Sequence, residues 1–441
     1  MDYKKRRQIL RQTAPQGDIL ILSATFAPRN YAANTYTFHQ DATFRYYTGL
    51  TEPDAALYIS AEGEETLFVS TPDPDDVIWT GPVPSPAQLA EKAGIAKYAD
   101  MSQLSGVISP NNLLFIEPYD YKLKLLLSGL TGILISELKL HASRDLGHAI
   151  INQRMHKDED EVAELEEAIT LTRRMLSSAR AVIEPGRLES DVMAALLAPA
   201  LAKERQQAFE PIVSTHGETL HNPFYHHKIE PDDMVLIDCG AESVNGYCAD
   251  ITRTFPALDK FSSKKQDIYN AVLSAQMAGI HQTAIPGTSQ YDVHMAACRA
   301  LTVALQHIGL MKGNIDDSLA AGAHALFMPH GIGHALGLDA HDMENYGDDV
   351  GYAPGTHRSS QFGLNALRLA RKLEPGFVLT VEPGCYFIPE LIDRWKATNH
   401  LADYINYTEL EHYRNFRGVR IEDDILITNS GSRVLGPGIE K

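Results

Sequence analysis

Five carboxylate and imidazole side chains stand in apolar, strand-like surroundings, where an unpartnered charge is expensive. Asp238 lies in Val235-Leu236-Ile237-Asp238-Cys239-Gly240, and Asp250 in Cys248-Ala249-Asp250-Ile251-Thr252-Arg253-Thr254-Phe255. The intervening Asn245-Gly246 is a hairpin-turn signal, and antiparallel pairing there brings the two aspartates together. Further on comes Met328-Pro329-His330-Gly331-Ile332-Gly333-His334, continuing through Gly337-Leu338-Asp339 to His341-Asp342. Two late strand-like pieces each carry a glutamate: Glu382 in Val378-Leu379-Thr380-Val381-Glu382-Pro383-Gly384, and Glu422 in Gly418-Val419-Arg420-Ile421-Glu422-Asp423-Asp424.

Ionised carboxylates lose hydration in such a setting, so a group of them must share protons or bind cations. Asp238, Asp250, Glu382, Glu422 and one histidine can hold two divalent ions, whose charge four carboxylates nearly cancel. Oxygen-rich ligation with one imidazole favours manganese and permits cobalt, zinc or iron. Ions bridged by carboxylates can share a water that loses a proton near neutral pH and becomes a nucleophile. Taken singly, each residue has a plainer reading: a turn aspartate, a solvated edge glutamate, a core or loop histidine. Spacing alone does not make the four segments converge.

The elements that must position these residues are partly readable. Between Lys157 and Ile183, Val162, Leu165, Ile169, Thr172, Leu176, Ala179 and Ile183 recur at helical spacing. Asp158–Glu161 suits the positive end of that helix's dipole, and Pro185-Gly186 stops it. Pro185-Gly186 is followed by Asp191-Val192 and Ala195. The same pattern returns 101 residues later as Pro286-Gly287, Asp292-Val293 and Ala296. This echo predicts a duplicated helix–turn–helix layer on one sheet, with a cleft near its pseudo-symmetry axis. The first ~150 residues alternate helical segments with short apolar runs. Asp18–Ala24, Ala56–Ser60, Thr66–Ser70, Leu113–Ile116 and Gly132–Ser136 read as strands, the middle pair as a hairpin around Gly63. The domain boundary is expected at residues 150–157.

The chain has 441 residues, 44% hydrophobic and 22% charged, the composition of an ordinary globular protein with two or three domains. A formal charge of -18 argues against nucleic-acid and anionic-membrane partners. The basic N-terminus, MDYKKRRQIL, leads into no signal-peptide core, and no apolar run reaches the ~20 residues of a membrane span. Cys239, Cys248, Cys298 and Cys385 read as buried, reduced thiols. A cytoplasmic location is the expectation.

The motif-bearing segments resemble the metallopeptidase family that contains aminopeptidase P and prolidase. The match covers nearly the whole chain and is strongest from about 157 to 430. It implies an α+β architecture: a C-terminal pita-bread (creatinase/aminopeptidase) domain over 156–441 and a smaller mixed α/β domain of the aminopeptidase P type over 1–155. On this resemblance the metal ligands are Asp238, Asp250, His334, Glu382 and Glu422. His221 lines the substrate pocket, and His330 is an outer-shell or substrate-side histidine. His341 hydrogen-bonds the scissile carbonyl, Glu382 relays a proton to the leaving proline nitrogen, and Arg420 supports proton movement. The aspartates stand one residue further apart than is usual, which points to a longer turn. The family's glycine- and serine-rich segment before the pocket histidine reads Val213-Ser214-Thr215-His216-Gly217-Glu218 here, so that wall differs and His216 has no assigned role. His226-His227 reads as solvated loop. Thr43-Phe44-Arg45-Tyr46-Tyr47-Thr48-Gly49-Leu50 resembles the aromatic segment of the N-terminal domain, which implies a homodimer or homotetramer.

Two features resemble prolidase: the stretch Leu367–Gly376, whose Arg368 would grip a dipeptide's free carboxylate, and the insert from Pro389 to Phe416. The plainer reading puts Arg368 on an exposed helix. The expected activity is therefore cleavage of Xaa-Pro bonds in proline-containing di- or oligopeptides, foremost as an Xaa-Pro dipeptidase, with aminopeptidase P as the alternative. Relatives that hydrolyse creatine without metal, or that only bind peptides, have lost several of the five ligands. Methionine aminopeptidase usually lacks an N-terminal domain of this type.

Overall fold

The computed structural model describes residues 1–441, which divide into two compact units, Met1–Arg154 and Met155–Lys441. The first is built on a mixed five-stranded sheet in the order Lys97–Asp100, Glu65–Val69, Ala55–Ile59, Asp18–Leu22, Leu113–Phe115. The hairpin around Gly63 is present, with Leu57 opposite Leu67. Thr43–Leu50 folds as the helix Ala42–Thr48, capped by the Asp41 carboxylate on Phe44 N at 2.9 Å and closed by left-handed Gly49. It buries Phe44, Tyr46 and Tyr47. The N-terminal helix, Tyr3–Thr13, supplies a buried Arg7, which donates to the carbonyls of Tyr47 (2.8 Å) and Ala93 (3.0 Å) and pairs with Glu65 at 2.9 Å. Gly132–Ser136 is not a strand. Gly132 takes a left-handed conformation to close the helix Tyr121–Thr131, and a 3₁₀ turn, Ile135–Glu137, follows.

In the second unit, the helix expected over Lys157–Ile183 runs Glu159–Arg180. Its end is locked reciprocally: Asp158 accepts from Glu161 N at 2.9 Å, and Glu161 from Asp158 N at 3.1 Å. Leu165, Ile169, Thr172, Leu176 and Ala179 form its buried face. The chain turns at Gly186 (φ 99°) into the helix Glu189–Leu201. The echo repeats this unit as Ser263–Thr283, Gly287 (φ 77°) and Gln290–Ile308. Its shared aspartates do the same work. Asp191 accepts from Leu188 N at 3.0 Å, and Asp292 from Ser289 N at 2.8 Å, each tying down the start of a second helix.

The two helix pairs do not share one continuous sheet. The first packs on Ile212–Ser214, Met234–Cys239 and Ile251–Pro256, burying Leu176, Val192, Leu196, Val213, Val235 and Ile237. The Ser263–Thr283 helix of the second packs against the sheet formed by Val378–Val381, Asp423–Thr428 and Gly431–Val434. The strand ladder breaks where the two sheets meet, because side chains take over some backbone partners. Glu422 N donates to Thr252 O at 3.1 Å, whereas Asp250 N donates to an Asp424 carboxylate oxygen at 3.1 Å.

Close backbone approach holds the aspartate hairpin. Thr252 stands opposite Asp238, and a β-carbon added to Gly240 would overlap the carbonyl oxygen of Ala249. Gly240→Ala is therefore expected to lower stability by about 1–3 kcal/mol, the usual penalty for overpacking. The denaturation midpoint of the protein measures this; an unchanged midpoint would show that the hairpin has room to open.

Candidate active site

Asp238 sits in the middle strand of the first sheet, and Asp250 immediately precedes its hairpin partner. In the connection between them, Gly246 (φ 79°) closes a turn by donating to Ser243 O at 3.1 Å. Both glutamates occupy breaks in strands that the sequence pattern reads as continuous. Glu382 falls between Val378–Val381 and Gly384–Tyr386, and Glu422 between Gly418–Arg420 and Asp423–Thr428. Leaving the ladder frees these two positions to turn their carboxylates inward.

The four segments converge. One ligand atom each from Asp250, His334 and Glu422 lies within 4.8 Å of the others, all three residues buried. His334 Nε2 is 3.4 Å from Asp250 and 3.5 Å from Glu382. Its Nδ1 lies 3.0 Å from Ala335 O, so the proton belongs on Nδ1 and the lone pair of Nε2 faces the carboxylates. Asp238 Oδ2 accepts from Arg420 Nη2 at 2.6 Å, while Asp238 Oδ1 and Glu422 Oε1 are buried without a partner. All five proposed ligands line one cavity of about 570 Å³, together with His221, His330, His341, Arg368 and Arg420.

Such electrostatics leave the carboxylates to share protons or bind cations. Burial, then repulsion from Asp238 and Glu382, pushes the Asp250 carboxyl well above its usual range. Burial, then Asp250 and Glu382, does the same to Glu422, and burial with Asp250 raises Asp424. Glu382 departs the other way: burial opposes its charge, but His334, His330, Arg420 and His341 together outweigh burial and hold it ionised. Buried carboxylate oxygens without partners, facing an imidazole nitrogen, fit divalent ions.

Several supporting residues carry no signal that marks them in the sequence. Thr252 Oγ1 donates to Glu422 at 2.6 Å and accepts from Arg420 Nε at 3.1 Å. Thr380 Oγ1 accepts from His334 N at 3.1 Å and donates to Glu382 at 3.3 Å. Each threonine stands two residues from a carboxylate, so strand alternation is the only hint. Tyr386 OH joins Arg420 (3.0 Å) to His330 (2.9 Å), and burial foremost lifts this phenol to about 12. Burial, followed by Arg420, lowers the His221 pKa.

Arg368 is not on a helix. It follows the 3₁₀ turn Leu364–Ala366 in irregular chain at the cavity wall and pairs with Glu344. Glu344 also lies 3.4 Å from His341 and, despite burial, is held down at about 2 by His341 and Arg368. His227 lies in loop as expected and is 32% exposed, but it is not free in solvent: its Nδ1 is 3.0 Å from the fully buried Glu189, and its ring centroid is 4.3 Å from that of His216. His226 is exposed. His216 in turn contacts Glu218 (3.0 Å) and Arg417 (3.0 Å). The four cysteines are buried and free, and no helix is long and apolar enough to cross a membrane.

Fold and centre together define a metallopeptidase with an N-terminal domain of the aminopeptidase P type and a C-terminal pita-bread catalytic domain. The chain belongs to metallopeptidase family M24, whose family model matches residues 163–429, and residues 3–112 match the aminopeptidase P N-terminal domain. Within that family it falls among the Xaa-Pro peptidases. It is 30% identical to the Xaa-Pro dipeptidase of Homo sapiens, over 95% of this chain and 86% of that protein. It is 33% identical to a probable Xaa-Pro aminopeptidase of Aspergillus niger, over 89% of this chain and 84% of that protein. Among solved structures, a variant of Escherichia coli aminopeptidase P in complex with substrate superposes with a TM-score of 0.82 at 27% identity, covering 100% of this chain and 95% of that one.

A pH dependence follows for metal-free protein. Asp250, Glu422 and Asp424 have folded pKa values above their unfolded ones, so the folded state binds more protons, and stability falls as pH rises above the usual carboxylate range, about 4. Glu382 alone among the shifted carboxylates of the centre acts in the opposite sense. In chelator, the melting temperature is expected to fall as pH rises from about 5 to 8, and saturating divalent ion should abolish that slope. A metal-free protein that grows more stable over this range would contradict the electrostatic account.

Proposed function

We propose that this chain is an Xaa-Pro dipeptidase that works with two divalent ions held by Asp238, Asp250, His334, Glu382 and Glu422, manganese foremost. The observation that carries the ion sites is the buried, unpartnered oxygen on each of Asp238 and Glu422 beside the lone pair of His334. When bound, such ions act as Lewis acids, activating water and polarising the scissile carbonyl.

The remaining work falls to side chains. Glu382, held ionised among His334, His330 and Arg420, takes the proton from the attacking water and passes it to the leaving proline nitrogen. His341 donates to the carbonyl oxygen as negative charge develops there. His330, joined to Arg420 through Tyr386, closes the substrate side, and Arg420 donates to Asp238 at 2.6 Å while serving proton movement. His221 lines the wall. Arg368, at the rim and off any helix, receives the free carboxylate of a dipeptide. Glu344 orients it and His341 together. A homodimer or homotetramer is the proposed assembly.

The second reading, an aminopeptidase P that trims longer peptides, is favoured by the close superposition on the E. coli enzyme. Hydrolysis of Ala-Pro against Ala-Pro-Ala by metal-stripped protein, with and without manganese, separates the two. Manganese-dependent cleavage of the dipeptide alone is expected; preference for the tripeptide would make this an aminopeptidase P. Arg368→Ala should raise KM for Ala-Pro roughly ten- to hundredfold, the worth of a charge-assisted contact, and affect tripeptides little. An equal effect on both would remove Arg368 from carboxylate recognition. Asp238→Ala or Glu382→Ala should abolish turnover with the circular dichroism spectrum retained; near-normal turnover in either would overturn the ion sites.

A further inference from the structure

One buried face of the helix Gln290–Ile308 is polar where a core helix should be apolar. Gln290, His294, Cys298 and Thr302 recur every fourth residue, and all four are fully buried. Gln290 Oε1, His294 Nδ1 and Thr302 Oγ1 have no hydrogen-bond partner. Facing this stripe is His324, from the 3₁₀ turn Ala323–Leu326. It is 1% exposed, and neither ring nitrogen has a partner. Each such atom carries a desolvation penalty that nothing offsets if it is left unsatisfied. Deletion of the polar groups would be the simpler course for a core that had no use for them.

Ligand atoms of His294, Cys298 and His324 lie within 4.8 Å of one another. His294 Nε2 is already 3.4 Å from Cys298 Sγ. Around a single zinc ion, with bonds of about 2.0–2.3 Å, ligand atoms stand roughly 3.3–3.8 Å apart, so a small closing movement completes the site. We propose that His294, Cys298 and His324 form a second metal site, separate from the carboxylate centre, that takes a thiophilic transition ion, zinc foremost.

The chemistry of the donors supports zinc over manganese, because a thiolate with two imidazoles is a soft-to-borderline set. Burial lowers the pKa of His294 to about 3 and of His324 to about 4, so both rings are neutral and able to ligate. Burial raises the Cys298 thiol, so the bound ion must displace its proton, which leaves to solvent as the sulfur–metal bond forms. The ion would tie the Gln290–Ile308 helix to the turn that leads into Met328–His334. It would thereby brace the segment that carries His330 and His334.

Cobalt(II) provides the test, because thiolate ligation gives a near-ultraviolet charge-transfer band that carboxylate and imidazole ligation do not. Protein expressed in cobalt-supplemented medium, so that the ion can load during folding, is expected to show this band and about three cobalt ions per chain by elemental analysis, two of them in the carboxylate centre. Cys298→Ser should lose the band and one ion. The absence of a thiolate band in wild-type protein would overturn the proposal, whether or not the variant folds. So would a band that survives in Cys298→Ser, since it would belong to another cysteine. Failure of the carboxylate centre to load would change the total count but not the band.

Discussion

Mutual repulsion among buried carboxylates is the constraint to which the rest of the catalytic unit answers. Asp250 and Glu422 are pushed toward their neutral forms first by burial and then by neighbouring carboxylates, yet the fold supplies three supports that hold the surrounding ligand groups in place. Thr252 steadies Glu422, Thr380 links the backbone of His334 to Glu382, and Arg420 neutralises Asp238 while reaching Tyr386. Such an arrangement is unstable by itself and becomes favourable once positive charge sits inside it. The same tension explains why backbone approach is so close at Gly240 and Gly333, where any side chain would meet a neighbouring carbonyl.

A second consequence is division of labour at the cavity. Groups on the inner side, His334 and the carboxylates, are buried and fixed by several contacts each. Groups at the rim, His341 and Arg368, are half-exposed and share a single partner, Glu344. The rim is not decoupled from the interior, because the His341 ring also packs on that of His334, with centroids 4.2 Å apart. On the proposed role of Arg368, any distinction between peptide lengths would fall to this more exposed side of the site.

Much of this was legible in the sequence, for identifiable reasons. Asp238 and Asp250, each a plausible turn aspartate when taken alone, gain weight from the joint pattern of the four segments, and Asn245-Gly246 announces the hairpin that pairs them. The long helix and the Pro-Gly echo follow from periodicity and from aspartates that cap in the same way. Other features were not legible because polar partners in a strand look like any other polar residue: Thr252, Thr380 and Tyr386 matter only through what they touch. Arg368 read equally well as a helix residue, since its neighbours Arg371 and Lys372 suit a solvated face; only the tertiary path of Leu367–Gly376 sets it at a cavity. The contact made by His227 was not legible because its partner, Glu189, lies 38 positions away. Gly132–Ser136 had the composition of a strand, but Gly132 was needed to end a helix.

The two halves of the duplicated domain contribute unequally in kind but equally in number to the acidic centre. Asp238 and Asp250 come from the first sheet, Glu382 and Glu422 from the ends of strands in the second half. On the proposed ligand set neither half supplies all five groups, so the seam between the halves is also where their charge would be compensated. A cation held there would act as a rivet between them.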